Sequence, residues 1–289
     1  LFNQTPEIFC LTYGYYGETT PAARVQFNRP GIYAQDDWTV NDKFKLTYGL
    51  RIDGLFFTNS DLMTNNAIKA LDYEGRHIDT GTWPDNSITF SPRLGFTYDV
   101  FGDKSLKVRG GTGLFSGRLP LVFFTNMPTN GGLVQYQAQI NASNAKKKGF
   151  SMDEFAGGPM TSISQMLSKL QSLGYPMTVS PEDGTVPSSI CGVDPSFKMP
   201  QVWKTSVAID YQIPVSFPFT ATVEAIFNKT INGVCISDWA IPSVGGFARF
   251  NGIENRPIYP TGFRTNTKAF MLESTSKGYG WSANVTLNA

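Results

Sequence analysis

In FKLTYGLRID (44–53) every second side chain is apolar: Phe44, Leu46, Tyr48, Leu50 and Ile52 share one parity, and Lys45, Thr47, Gly49, Arg51 and Asp53 share the other. A period of two is that of a β-strand, whose successive side chains point to opposite faces; a helix would scatter the same pattern around its circumference. FSPRLGFTYDV (90–100) repeats it, setting Phe90, Leu94, Phe96, Tyr98 and Val100 against Ser91, Arg93, Gly95, Thr97 and Asp99, with Pro92 irregular on the apolar side. YGWSANVTLN (279–288) is a third case, and weaker versions run over 30–38, 105–116, 202–213 and 219–228. Seven strands are expected, each of about 9 to 13 residues, where a soluble strand averages ~5 to 6 and a tilted strand crossing a bilayer needs ~9 to 11.

The chain is therefore expected to be all-β. Its 22 Phe, 12 Tyr and 5 Trp, beside 28 Gly and 18 Pro, suit strands and turns. No window approaches the ~20 apolar residues of a membrane-spanning helix, and LFNQTPEIFC at the start is not a signal peptide. A net charge of +1 provides no basic stripe for nucleic-acid phosphates, and Lys146, Lys147 and Lys148 read as a solvated loop. His77 is the single histidine, so neither a histidine-based triad nor a multi-histidine zinc site can be assembled, and no enzyme, cofactor or metal centre is expected.

Alternation alone fits a soluble sandwich as well as a membrane barrel, because each has one apolar sheet face. The connections decide between them. After the first, third and fifth strands come TVNDK, FGDK and PVSFP; after the second, fourth and sixth the links run over about 54–88, 117–200 and 229–277. Strict alternation of short and long links is the plan of an outer-membrane barrel, with tight turns on one rim and long loops on the other. Structureless loops of such length are uncommon in compact soluble domains. The expected architecture is thus an antiparallel transmembrane β-barrel segment over 1–289: 1–27 an extracellular loop, 28–116 strands one to four, 117–200 a long extracellular loop, and 201–289 strands five to seven. Within that loop, SISQMLSKLQSLG places Ile163, Met166, Leu167, Leu170 and Leu173 at helical spacing, with Thr161 or Ser162 as N-cap and Gly174 past the end. Seven strands leave two open edges, so the stretch is expected to be an internal part of a larger barrel, of ~22 strands if the lumen is plugged.

GIYAQDDWTVNDKFKLTYGLRID (31–53) and FSPRLGFTYDVFGDKSLKVRGGTGLF (90–115) resemble the barrel of TonB-dependent outer-membrane receptors, in the Oar-like or SusC-like branches. The resemblance rests on the QD-x-W strand end, the GLR-x-D strand, the SPR-x-G-x-x-YD strand and the K-x-R-x-G-x-G-x-F strand after a Gly-Asp turn. LESTSKGYGWSANVTL (272–287) is similar to the family's N-T-x-K-G-Y strand, with Ser274 where Asn is usual. It implies residence in the bacterial outer membrane and energised import of a bulky nutrient such as a peptide, glycan or chelate. Implied partners are membrane lipid, a plug domain of the same protein, the TonB complex and, in the SusC-like case, a SusD-like lipoprotein. A passive porin-like channel and a structural or adhesive surface barrel stay open as alternatives.

On the polar parity, Arg51, Arg93, Asp99, Arg109 and Asp210 are expected to face the lumen, with Lys45, Asp53, Lys107, Lys204 and Glu224, since Lys or Arg at mid-depth on the lipid side costs ~2 to 4 kcal/mol. Asp36 falls on the apolar parity and is expected near the rim. Gly110, Gly111 and Gly113 are followed by neither Lys-Ser/Thr nor a helix, so they suggest close approach of another backbone, such as a plug, rather than a phosphate loop. In LPLVFFTNMPTNGG (119–132), Phe123, Phe124 and Asn126 are the candidate ligand contacts, with loop packing the competing role. All three cysteines fall in links placed on the oxidising side, and Cys191 with Cys235 is the expected disulfide, because they flank the outer ends of a strand hairpin.

Overall fold

The computed structural model describes residues 5–18, 21–58, 62–157, 160–217, 219–242 and 247–288. In chain order its strands are β1 (Ile8–Gly14), β2 (Phe27–Asn28), β3 (Gly31–Asn41), β4 (Phe44–Phe57), β5 (Ser87–Asp99), β6 (Leu106–Ser116), β7 (Gln135–Asn141), β8 (Ser189–Val193), β9 (Gln201–Ile213), β10 (Phe219–Asp238), β11 (Lys268–Thr275) and β12 (Tyr279–Asn288). The helices are α1 (Asn66–Lys69), α2 (Leu121–Thr129), α3 (Ala142–Lys147) and α4 (Ile163–Ser172). Among the described residues no helix is long and apolar enough to cross a membrane.

The seven expected strands are β3, β4, β5, β6, β9, β10 and β12, and they pair antiparallel in sequence order within one sheet. The register keeps each parity on one face across the sheet. Phe44, Tyr98, Val108, Ile209, Val223 and Val285 form one cross-strand row, and Leu46, Phe96, Gly110, Val207, Ala225 and Ala283 form the next. This apolar face is bare: Val207 is 46% exposed, Val223 50% and Val285 79%. Among the described residues of these strands, the apolar side chains that are buried are Leu55 at the end of β4 and Ala208, and both sit on the polar parity. A soluble sandwich buries its apolar sheet face, so this pattern excludes one.

The buried core lies instead beyond one end of the sheet, in the long links. Turns at the other end are held by their own side chains: the Asn41 carboxamide oxygen accepts from Lys43 N and Phe44 N, both at 2.9 Å. Asp99 accepts from Gly102 N at 2.9 Å and Lys104 N at 3.0 Å, the two residues that take φ of 88° and 67° in the β5–β6 turn. The long links are not open loops. β1 and β7 form a separate two-stranded antiparallel sheet, backed by Met152, Phe155 and Leu170. β10 runs on to Asp238 instead of ending near 228, and β11, inside the expected loop 229–277, pairs with its upper half. β8 joins β11 in parallel. α4 stands where its spacing places it, with Ser162 Oγ accepting from Gln165 N at 3.3 Å and Gly174 at φ 76°. Together the long links make a folded cap over one rim.

Candidate functional site

Two surfaces carry polar chemistry: the charged face of the sheet and the cap. On the sheet, pairing register brings the sequence-selected residues to one face. Arg109 Nε donates to Asp210 Oδ2 at 2.9 Å, with Glu224 4.0 Å from the same guanidinium, and Asp210 Oδ1 accepts from Thr222 Oγ1 at 2.8 Å. Arg51 forks onto Asp53 through Nε and Nη2 at 2.8 and 2.7 Å, the bidentate geometry that suits guanidinium and carboxylate. Arg93 has no carboxylate partner among the described residues; its Cζ lies 4.8 Å from the centroid of Phe115, with Lys204 Nζ 5.9 Å from the same ring. Asp99 differs from the other four, because its carboxylate is engaged by the β5–β6 turn.

Between these charges the face is hollow. Thr47, Gly95, Gly111 and Ser206 form one cross-strand row of small side chains, and Gly113 separates Arg93 from Lys204 in the row above. The trough holds about 660 Å³, with Lys45 and Arg109 at its border. A Cβ on Gly111 would stand 3.0 Å from the Leu94 carbonyl oxygen and one on Gly113 2.9 Å from that of Pro92, so neighbouring strands crowd these positions too. Asp36 opposes Tyr48 on the apolar face, and the Tyr48 hydroxyl donates to it at 2.9 Å.

In the cap, the expectation for Phe124 is corrected. It is fully buried, stacked 5.4 Å from Phe57 and edge-on to Phe197 at 5.7 Å, with Trp83 completing the group. The apolar side chains of 121–129 pack as helix α2 against the end of β4 and β8, which leaves Phe124 no surface to offer a ligand. Phe123 packs half-buried on the same cluster, and the Asn126 carbonyl accepts from Asn130 N at 3.0 Å. The Cys191–Cys235 bridge is likewise corrected: all three cysteines are free thiols. Cys191 pairs with Phe270 and Cys235 with Glu273, on opposite sides of β11. Two strand spacings of ~4.8 Å put their Cα atoms ~10 Å apart before any offset along the strand, past the ~7 Å a disulfide spans. Sequence reasoning could not foresee that β11 intervenes, because LEST-type alternation over 268–275 is too short to stand out.

Residues that periodicity did not single out organise the cap. Asn65 is fully buried, and its side chain accepts from Ala67 N and Ile68 N while donating to the carbonyls of Gly131 and Thr185. Burial raises the Asp79 carboxyl, but hydrogen bonds from Lys69, Thr64 and Gly81 outweigh it and hold the group below its ordinary value. His77 Nδ1 donates to the carbonyls of Lys69 and Leu71, a loop-bracing role. Beside β7 a cleft of about 440 Å³ opens, floored by Gln135, Gln137 and Gln139 and flanked by Tyr175, Lys147 and Lys148.

Comparison with known families gives one match: residues 10–224 fit the family described as an outer membrane beta barrel domain. A search of curated proteins returned no match.

Proposed function

Because the chain belongs to the outer membrane β-barrel domain family and so lies in the bacterial outer membrane, we propose that it imports a bulky nutrient, a peptide, glycan or chelate, through a TonB-dependent barrel. In this reading the bare apolar face meets lipid, where Arg or Lys at mid-depth would cost ~2 to 4 kcal/mol. The charged face lines the lumen, with Arg51, Arg93, Arg109 and Asp210 along the path, and the cap stands on the extracellular rim. Open edges at β3 and β12 would each leave backbone groups unpaired in hydrocarbon at several kcal/mol apiece, so barrel strands beyond these seven close the wall. No catalytic role is proposed.

The observation that carries active import over a passive pore is the trough on the polar face, where Thr47, Gly95, Gly111 and Ser206 present almost no side chain to the lumen. A wall so stripped suits a second polypeptide segment packed against it, as a plug would be, whereas a water-filled pore gains nothing from it. Partners are then that plug, the TonB complex that would displace it, and a SusD-like lipoprotein if the SusC-like branch applies. The test is uptake in intact cells before and after the proton-motive force is collapsed. Loss of uptake supports the reading; uptake that persists and follows the external concentration makes the protein a passive channel.

A further inference from the structure

We propose that the cleft beside β7 binds an acidic oligosaccharide. β7 alternates like the membrane strands, but with the faces put to another use. Ala138 and Ile140 point into the cap core and are fully or nearly fully buried, which turns Gln135, Gln137 and Gln139 together into the cleft. Among the described residues none of these three carboxamides makes a side-chain hydrogen bond. Each planar amide offers two N–H donors and a carbonyl acceptor in a fixed geometry, a match for neighbouring sugar hydroxyls that both donate and accept. Ser188 also lines the cleft, with Thr129 and Thr185, whose hydroxyls already bond Thr125 O and the Tyr15 hydroxyl.

Charge sets the class further. The ionisable side chains with full charge on the cleft wall are Lys147 and Lys148, and no carboxylate is among its described lining. Lys148 Nζ rests 4.4 Å above the Tyr175 ring, and Tyr175 meets Tyr136 edge-on at 6.0 Å, so the ammonium is positioned by an aromatic shelf. Burial raises both tyrosine hydroxyls above their ordinary value, which keeps them neutral. Lysines in the last turn of a helix also favour the helix dipole, and that accounts for Lys146 and Lys147 on α3. It does not account for the convergence of Lys147 and Lys148 with three unengaged amides in one concavity of about 440 Å³, a size within the ~300 to 1,000 Å³ of small-molecule sites. A hydroxyl-rich chain bearing carboxylates satisfies both halves of the wall, its hydroxyls meeting the amides and its carboxylates the lysines.

The proposal rests on the cap facing the medium, and on nothing else in the import reading. Titration calorimetry on the purified full-length protein in detergent, with trigalacturonate, maltotriose and triglutamate as probes, tests it. Trigalacturonate is expected to bind more tightly than maltotriose, to weaken as salt is added, and to lose at least tenfold in affinity in K147Q/K148Q, whose lysines are exposed. Gln137→Leu, also at an exposed position, is expected to weaken both sugars. Absence of trigalacturonate binding, triglutamate binding as tight as trigalacturonate, or undiminished affinity in K147Q/K148Q each overturns the proposal. Because binding to purified protein needs no energy source, such a failure leaves energised import standing, and loss of energised uptake alone would leave the cleft standing.

Discussion

At Asn65 a single side chain joins three connections that are distant in sequence. Its main-chain N–H donates to Thr80 Oγ1 at 2.9 Å, its carboxamide oxygen caps α1, and its Nδ2 reaches Gly131 O at 3.0 Å and Thr185 O at 2.9 Å. Asn65→Ala leaves two buried carbonyls without that donor and α1 without its cap, at ~1 to 3 kcal/mol for each such loss. Hydrogen exchange is expected to accelerate over 62–86, 129–135 and 183–187 while β4, β5 and β9 stay protected; unchanged exchange in the cap would contradict the role. Asp79 adds a pH dependence. Its carboxyl is held below 3.8 in the folded chain, so it stabilises the loop above the unfolded value, and that contribution is lost as pH falls through the folded one. Exchange over 62–86 should therefore rise below about pH 4, and Asp79→Asn should remove the dependence. Thiol counting checks the cysteines. Without reductant, all three should label after denaturation; in the folded protein exposed Cys10 should react first, and Cys191, whose thiol burial pushes up, last.

The strands were legible because their alternation is a consequence of geometry that the membrane enforces at every position: β4, β5 and β12 could be placed to within a few residues from parity alone. α4 was legible for a similar reason, since Ser162, the apolar spacing and Gly174 mark its start, face and end. What escaped was the rest of the cap. In α2 the run LVFFTNMPT has no periodic polar face, and Pro120 and Pro128 at its ends read as loop; only tertiary burial of Phe124 and Met127 makes it a helix. β8 and β11 owe their strand state to pairing with one another and with β10 across long stretches of chain, which no local pattern records. The five lumen candidates share one face because register carried parity across the sheet; that Asp99 also braces its turn was not legible, as this depends on the positive φ of Gly102 and Lys104. A paired substitution tests the faces. Val207→Lys, on the bare face at the middle of β9, should destabilise the protein in lipid vesicles by ~2 to 4 kcal/mol, and Ser206→Lys, one residue away, by far less. Equal costs in urea titrations would contradict the assignment.

For the whole molecule, hydrophobic burial is distributed in reverse of a soluble protein. The sheet exposes its apolar side and keeps ion pairs on the other, while the packed core sits in connections at one rim. Each feature is costly in water and natural in a bilayer, where lipid takes the place of a protein core around the wall and only the parts outside the membrane must bury their own apolar groups. The most direct measurement is therefore residue-by-residue accessibility along β9 of the full-length protein reconstituted in lipid, using spin labels at single cysteines from Trp203 to Asp210 in a background without the native thiols. Oxygen, which concentrates in lipid, should relax the labels at 203, 205, 207 and 209, and a water-soluble nickel chelate those at 204, 206, 208 and 210. A two-residue oscillation in that phase is the result the account requires; the opposite phase, or chelate access at every position, would contradict it.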